Sequence, residues 1–130
     1  MKKCLSSVGG PEAVGPYSMA CEAKACEGII FCSGQIPIDP ASGDLVGETV
    51  AEQTRRALDN LKLLLEENGL GLSKVVKTTC FLTDMNTFAE FNAVYAEYFP
   101  EEPPARSTIG VASLPKGARV EVEALAVRGD

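Results

Sequence analysis

Histidine is absent from the 130 residues of this chain. Its absence removes Ser-His-Asp and Cys-His catalysis, together with the commonest ligand of zinc, copper and iron. Any chemistry falls to Arg, Glu, Asp, Tyr, Ser, Thr, Cys, Lys or backbone groups, which favours a reaction that needs little help. Basic residues are also scarce: 12 Lys and Arg stand against 18 Asp and Glu, a net charge of −6. That field repels phosphate backbones, so no nucleic-acid partner is expected. Cys4, Cys21, Cys26, Cys32 and Cys80 include no Cys-x-x-Cys pair, and their odd number suggests neither a disulfide framework nor a zinc knuckle. Reduced, mostly buried thiols and no metal are the expectation. Neither Lys2-Lys3 nor any other basic pair is followed by the apolar stretch of a signal peptide or membrane span. The expected address is the cytoplasm, with no membrane contact.

What remains is the composition of an ordinary globular protein, 45% apolar and 23% charged. A chain of this length suits one domain over residues 1–130, which buries roughly two-thirds of its unfolded surface. Gly28 to Gly34 (GIIFCSG) is short, apolar and bounded by glycines, so it reads as a buried strand, with Met19 to Cys26 as its antiparallel hairpin partner. Pro37 to Gly47 collects turn residues and reads as a loop.

Thr49-Val50-Ala51-Glu52 has capping-box spacing and predicts a helix start. Val50, Thr54, Ala57, Leu58, Leu61, Leu64 and Leu65 then recur at helical spacing until Gly69 stops the run. Lys74 to Thr83 is β-branched and aromatic, as a strand prefers. Thr87-Phe88-Ala89-Glu90 repeats the capping-box spacing, and Phe88, Phe91, Tyr95 and Tyr98 form one aromatic face before Pro100, read as core. Arg106 to Ala112 and Arg119 to Arg128 read as a closing hairpin through Leu114-Pro115-Lys116-Gly117. Two strand-helix units between two hairpins predict an α+β sandwich, one sheet backed by two helices on a single face. In the last strand Val120, Val122, Ala124 and Ala126 share one side, while Arg119, Glu121, Glu123, Leu125 and Val127 share the other. The second side mixes charge with Leu125 and Val127, which fits an interface better than plain water and predicts a homo-oligomer.

A few residues invite chemistry. Arg106 follows Pro103-Pro104-Ala105, a stiff lead-in that fixes where its guanidinium fork points. Bidentate capture of a carboxylate and a plain surface salt bridge both fit. Glu121 sits among apolar neighbours, where desolvation raises a carboxyl pKa toward the acid/base range, but solvation beside Arg119 leaves it ionised and idle. Tyr17, after Gly15-Pro16, is either a hydroxyl at a tight turn or a packing plug. Ser33-Gly34-Gln35 offers backbone polar groups at a strand end.

Taken together, Ala13-Val14-Gly15-Pro16-Tyr17-Ser18, Ser33-Gly34-Gln35-Ile36-Pro37, Gln53 with Ala57-Leu58-Asn60-Leu61, Val76-Lys77-Thr78-Thr79, Phe88 to Tyr95, Pro104-Ala105-Arg106-Ser107, and Leu114-Pro115 with Val120 to Ala124 resemble the RidA/YjgF reactive-intermediate deaminase family. The motifs run in order through nearly the whole chain. The resemblance implies a chorismate-mutase-like α+β protomer with a mixed sheet, assembling as a homotrimer around a central β-barrel with clefts between subunits. It implies 2-iminobutanoate/2-iminopropanoate-type deamination, in which enamine or imine forms of amino acids such as 2-aminoacrylate become 2-keto acids and ammonia, without a cofactor. Arg106 is then expected to bind the substrate carboxylate, Glu121 to place or activate water, and Tyr17 to line the pocket, with Ser33, Gly34, Asn92 and Thr108 around the substrate. Thr108 departs from the Cys found in some relatives, so thiol-dependent behaviour at that position is expected to be absent. A non-catalytic trimer sensing small carboxylates is the alternative, with RNA cleavage or translation inhibition disfavoured by the acidic balance.

Overall fold

The helix start expected at Thr49 forms as its local chemistry dictates. In the computed structural model, which describes residues 2–129, the first helix (α1) spans Val50–Glu66. The Thr49 hydroxyl accepts from the Glu52 amide at 3.1 Å, and the Glu52 carboxylate accepts from the Thr49 amide at 3.1 Å. The helix closes on Gly69, at φ +79°, where the Leu70 amide donates to the Leu65 carbonyl at 2.8 Å. Left-handed backbone of this kind favours glycine. Its buried face is Val50, Gln53, Thr54, Ala57, Leu58, Leu61 and Leu65. Leu64, expected on that stripe, is 37% exposed, while Gln53, not expected on it, is buried. Gln53 stays satisfied by donating to the Gly47 carbonyl and accepting from the Arg119 amide, so it ties the loop before α1 to the last strand.

The second helix (α2), Phe88–Tyr98, departs from expectation at its start. Thr87 makes no side-chain cap, and a short 3-10 turn, Met85–Thr87, leads into the helix instead, capped by the Asp84 side chain. The Glu90 carboxylate reaches across to the Ala51 amide at 2.8 Å and so satisfies an orphan donor of α1 rather than its own helix. Phe91 and Tyr95 are fully buried, whereas Phe88 and Tyr98 are only half-buried.

Six strands complete the fold: β1 Lys2–Leu5, β2 Ala20–Ala23, β3 Gly28–Gln35, β4 Val75–Leu82, β5 Ala105–Gly110 and β6 Val120–Arg128. Neither expected hairpin forms. β2 pairs with β1 rather than β3, while β3 pairs antiparallel with β6. β5 and β6 are not neighbours either, because β5 runs parallel to β4 and β6 lies between β3 and β4. The resulting mixed sheet has the order β3-β6-β4-β5. Val120, Val122, Ala124 and Ala126 face the helices and join Leu58, Leu61, Leu65, Phe91 and Tyr95 in one core. Each fully buried leucine there contributes about 1.5–3 kcal/mol. On the opposite face no helix among the described residues covers the sheet, and Phe31 and Ile29 on β3 are 75% and 54% exposed. Cys32 and Cys80 are buried, but Cys4, Cys21 and Cys26 are half-exposed, so the thiols are less buried than expected. Among the described residues no helix is long and apolar enough to cross a membrane, and no group of His, Cys, Asp or Glu is arranged to hold a metal.

Candidate functional site

Arg106 is placed by the stiff segment before it. The Pro104 carbonyl accepts from the Ser18 amide at 3.1 Å and the Pro103 carbonyl from the Ser18 hydroxyl, which straps the Tyr17-Ser18 turn along the start of β5. Arg106 pairs in register with Thr78, a buried residue of the helix side, so its side chain points beneath α2. There the guanidinium Nη1 donates to Asn92 Oδ1 at 2.8 Å. Four rings surround it, with centroids at 4.8 Å (Tyr95), 5.4 Å (Tyr17), 5.5 Å (Phe88) and 5.9 Å (Phe91). Aromatic faces attract a cation but do not neutralise it. The ion pairs among the described residues are Lys24–Glu22 and Arg55–Glu97, so no carboxylate is paired with Arg106.

Gly15 completes this wall by lacking a side chain. A Cβ there would lie 3.0 Å from Arg106 Nη2 and 3.6 Å from Asn92 Nδ2. The turn is held by the Tyr17 amide on the Gly15 carbonyl, and by the Tyr17 hydroxyl accepting from the Val14 amide. Tyr95 is fixed from behind by a 2.8 Å hydrogen bond with the Thr78 hydroxyl, and burial raises its phenol pKa well above the usual range. Two residues beyond Arg106, Thr108 pairs with Cys80 on the same side. Its buried hydroxyl has no well-formed hydrogen bond among the described residues and only a weak contact with the Cys80 thiol, which burial pushes up to about 12 and Thr108 draws slightly back. A buried hydroxyl left open in this way costs stability until something accepts from it or donates to it.

Glu121 belongs to a second cluster. It pairs in register with Phe81 on the open side of the sheet, and a Cβ on Gly34 would lie 2.0 Å from its carboxylate Oε2. Gly34 therefore makes the room that the carboxylate occupies. Ser33 is exposed beside it. Among the described residues Glu121 makes no hydrogen bond or ion pair within the chain.

Strand alternation sets these clusters apart. Thr78, Cys80 and their register partners Arg106 and Thr108 face the helices, whereas Phe81 and its partner Glu121 face away. Within one chain, Tyr17, Asn92, Arg106 and Thr108 are thus brought to one side, and Ser33, Gly34 and Glu121 belong to the other. Phe88, Phe91 and Tyr95 were read from sequence as core alone, and Gly15 as part of a turn. Their role around Arg106 has one sequence signal, an aromatic stripe on the helix that precedes the Pro-Pro-Ala-Arg segment.

The chain and its fold are similar to known proteins. The family model described as Endoribonuclease L-PSP matches residues 9–128. A RutC family protein of Pyrococcus horikoshii is 44% identical over 128 residues, covering 98% of this chain and 99% of that one. The human 2-iminobutanoate/2-iminopropanoate deaminase is 43% identical over 129 residues, covering 99% and 92%. Among solved structures, the YjgF gene product from E. coli superposes with a TM-score of 0.73 at 42% identity, covering 98% of this chain and 99% of that one. E. coli TdcF, solved with bound serine, gives 0.73 at 38% identity with the same coverage. With nearly full-length matches in both sequence and structure, this chain belongs to the Endoribonuclease L-PSP family, also called YjgF/RidA.

Proposed function

We propose that this protein is a cofactor-independent deaminase that hydrolyses enamine and imine forms of small amino acids, such as 2-aminoacrylate, to 2-keto acids and ammonia. The observation that carries this reading is the state of Arg106: a guanidinium ringed by aromatic faces, oriented by Asn92, with no carboxylate paired to it among the described residues. A half-buried cation without a counter-ion is completed by an anionic ligand, and the planar fork suits a carboxylate. The serine bound in TdcF and the deaminase name of the mammalian relatives support a small amino acid or its imine as that ligand.

The chemistry then asks little of the protein. The enamine takes a proton at carbon to become the imine, water adds to the imine carbon, and the resulting carbinolamine expels ammonia and leaves the ketone. Arg106 holds the carboxylate and so fixes the imine carbon in space. Tyr17 and the rings of α2 form the apolar wall, while the open Thr108 hydroxyl contacts substrate or water. Glu121 places the attacking water and carries protons as ammonia leaves.

Because Arg106 and Glu121 face opposite sides of the sheet, the complete site needs two copies. In the proposed homotrimer the open sheet faces meet in a central barrel, and each cleft takes Arg106, Asn92, Tyr17 and Thr108 from one copy and Glu121, Gly34 and Ser33 from the next. Burial of Phe31 and Ile29 in that barrel gives their exposure a purpose.

The test is ammonia and keto-acid release from enamines generated by a serine or threonine dehydratase, using wild type, Arg106→Ala, Glu121→Ala and a remixed assembly of the two variants. Wild type accelerates release and each variant does not. An equimolar remix of unfolded and refolded variants regains about a quarter of the wild-type rate, because random assembly pairs an intact Arg106 with a neighbour's intact Glu121 at that frequency. Recovery near zero overturns the shared cleft. Tight binding of 2-keto acids without turnover by wild type replaces the enzyme with a sensor.

A further inference from the structure

We propose that Cys4 and Cys21 form a reversible thiol–disulfide site that cross-links the first two strands and closes a ring around the turn bearing Gly15 and Tyr17. The two residues are direct register partners in the antiparallel β1–β2 pair. Their sulfurs are 3.8 Å apart, and both lie against the Pro103 carbonyl, at 3.7 and 3.8 Å. Opposed residues of an antiparallel pair have Cα atoms roughly 4.5–5.5 Å apart, inside the roughly 4.4–6.8 Å window of protein disulfides. Closure therefore needs side-chain rotation and a small approach of the strands, not a rearrangement of the backbone.

Access is built in. Cys4 lines a surface groove of about 430 Å³ together with Ser7, Pro11, Tyr17, Ser18 and Met19. Cys80, by contrast, is fully buried, and Cys32 borders a separate hollow with Phe31 and Leu65 but is only 7% exposed. Burial raises the Cys21 pKa, opposed first by a hydrogen bond from the Ala105 backbone and least by the Lys2 ammonium, with the Cys4 thiol adding to the rise. Because Cys4, and not Cys21, lines the surface groove, the first attack falls to Cys4 and the resolving step to Cys21.

The balanced reaction uses a small-molecule disulfide as oxidant. The Cys4 thiolate attacks one of its sulfurs, forming a mixed disulfide and expelling one thiolate. The Cys21 thiolate then attacks the Cys4 sulfur, forming the Cys4–Cys21 bond and expelling the second thiolate. The two protons released by Cys4 and Cys21 pass to the two expelled thiolates, so two protein thiols are oxidised and one small disulfide is reduced. The cysteines are 17 positions apart, and the ring they close contains Gly15 and Tyr17, two walls of the Arg106 pocket. Oxidation also takes two weak donors from the Pro103 carbonyl and leaves it the Ser18 hydroxyl. The covalent step stands without the deaminase reading, and only its effect on the pocket rests on it.

The test equilibrates the whole protein in buffers of oxidised and reduced glutathione, traps remaining thiols by alkylation and maps them by peptide mass spectrometry. The expected result is a peptide pair joined through Cys4 and Cys21, two hydrogens lighter than the thiol forms, with Cys32 and Cys80 alkylated only after denaturation. The oxidised protein gains several degrees in thermal midpoint, reversed by dithiothreitol and absent in Cys4→Ser and Cys21→Ser. In Cys21→Ser the surviving Cys4 stops as the glutathione adduct, whereas in Cys4→Ser the surviving Cys21 reacts far more slowly. Free thiols at both positions under conditions that modify Cys26 overturn the proposal. So does a Cys4–glutathione adduct that accumulates in wild type without resolving.

Discussion

The two faces of the four-stranded sheet follow opposite rules. Toward the helices, Val120, Val122, Ala124 and Ala126 are at most 4% exposed, and several polar side chains among them are tied in place, Thr108 being the exception. Thr78 binds Tyr95, Gln53 bridges a loop to β6, and Arg106 leans on Asn92 and four rings. Away from the helices, Phe31, Ile29 and Ile109 remain 75%, 54% and 44% exposed around Glu121, Glu123, Lys77 and Thr79. The first face is finished by the chain itself. The second leaves apolar and charged side chains together in the open, which suits the proposed assembly and the proposed role of Glu121.

The largest break in this comparison comes from Arg106, which pairs with no carboxylate among the described residues. Arg106→Ala should lower kcat/KM for imine hydrolysis by about 10³-fold, equivalent to about 4 kcal/mol of transition-state binding, with the fold intact by circular dichroism. Arg106→Lys keeps the charge but loses the fork and should recover only part of the loss. Full activity in the lysine variant would show that charge alone, not bidentate geometry, does the anchoring.

On the open side, Phe31→Glu tests assembly rather than chemistry. At 75% exposure the residue has little to lose within one chain, so the folded protomer should change by less than about 0.5 kcal/mol. Buried three times over in a barrel, the same carboxylate cannot be tolerated. Sedimentation should report protomers in place of the wild-type oligomer, and deamination should fall with it because the cleft is gone. A Phe31→Glu protein that stays assembled and active would move the interface elsewhere.

Tyr95→Phe sharpens the other side of the comparison. It removes the 2.8 Å bond to Thr78 and leaves that buried hydroxyl with only the Cys80 sulfur at 3.9 Å, while the ring beneath Arg106 remains. The expected cost is about 1–3 kcal/mol in denaturant unfolding, with little change in keto-acid affinity. A large loss of affinity at unchanged stability would make the Tyr95 hydroxyl a ligand contact.

What the sequence disclosed divides along a similar line. The Thr49–Glu52 box and the Gly69 stop were legible because each is settled within six residues. Arg106 was legible because two prolines precede it. The hairpins misled because adjacency in sequence is only a prior for pairing: β5 finds β4 through a parallel contact, and β6 inserts between β3 and β4. Glu90 shows the same limit at one residue, since its spacing suits its own helix but its carboxylate serves the Ala51 amide. Asn92 has no local signal at all and was reached only through family resemblance. Nor did any local pattern reveal that Arg106 and Glu121 point apart, because that depends on which strands each one joins.

The smallest expected effect lies at the start of α1, where the Glu52 carboxylate is fully solvent-exposed. Its pKa is held below the ordinary 4.5, first by the Thr49 side-chain hydrogen bond and then by the Thr49 and Glu48 amides. A carboxylate with a lowered folded pKa adds stability that is present above its unfolded value and fades as pH falls through the folded one. Wild type should therefore exceed Glu52→Gln in thermal midpoint at neutral pH, and the gap should close on acidification below 4.5. Because Gln retains an acceptor for the Thr49 amide, only the charge is tested, together with its attraction to the helix N-terminus. A gap that persists at low pH would assign the benefit to side-chain shape, and a gap absent throughout would leave the cap resting on Thr49 and on the carboxylate that Glu90 sends across from α2.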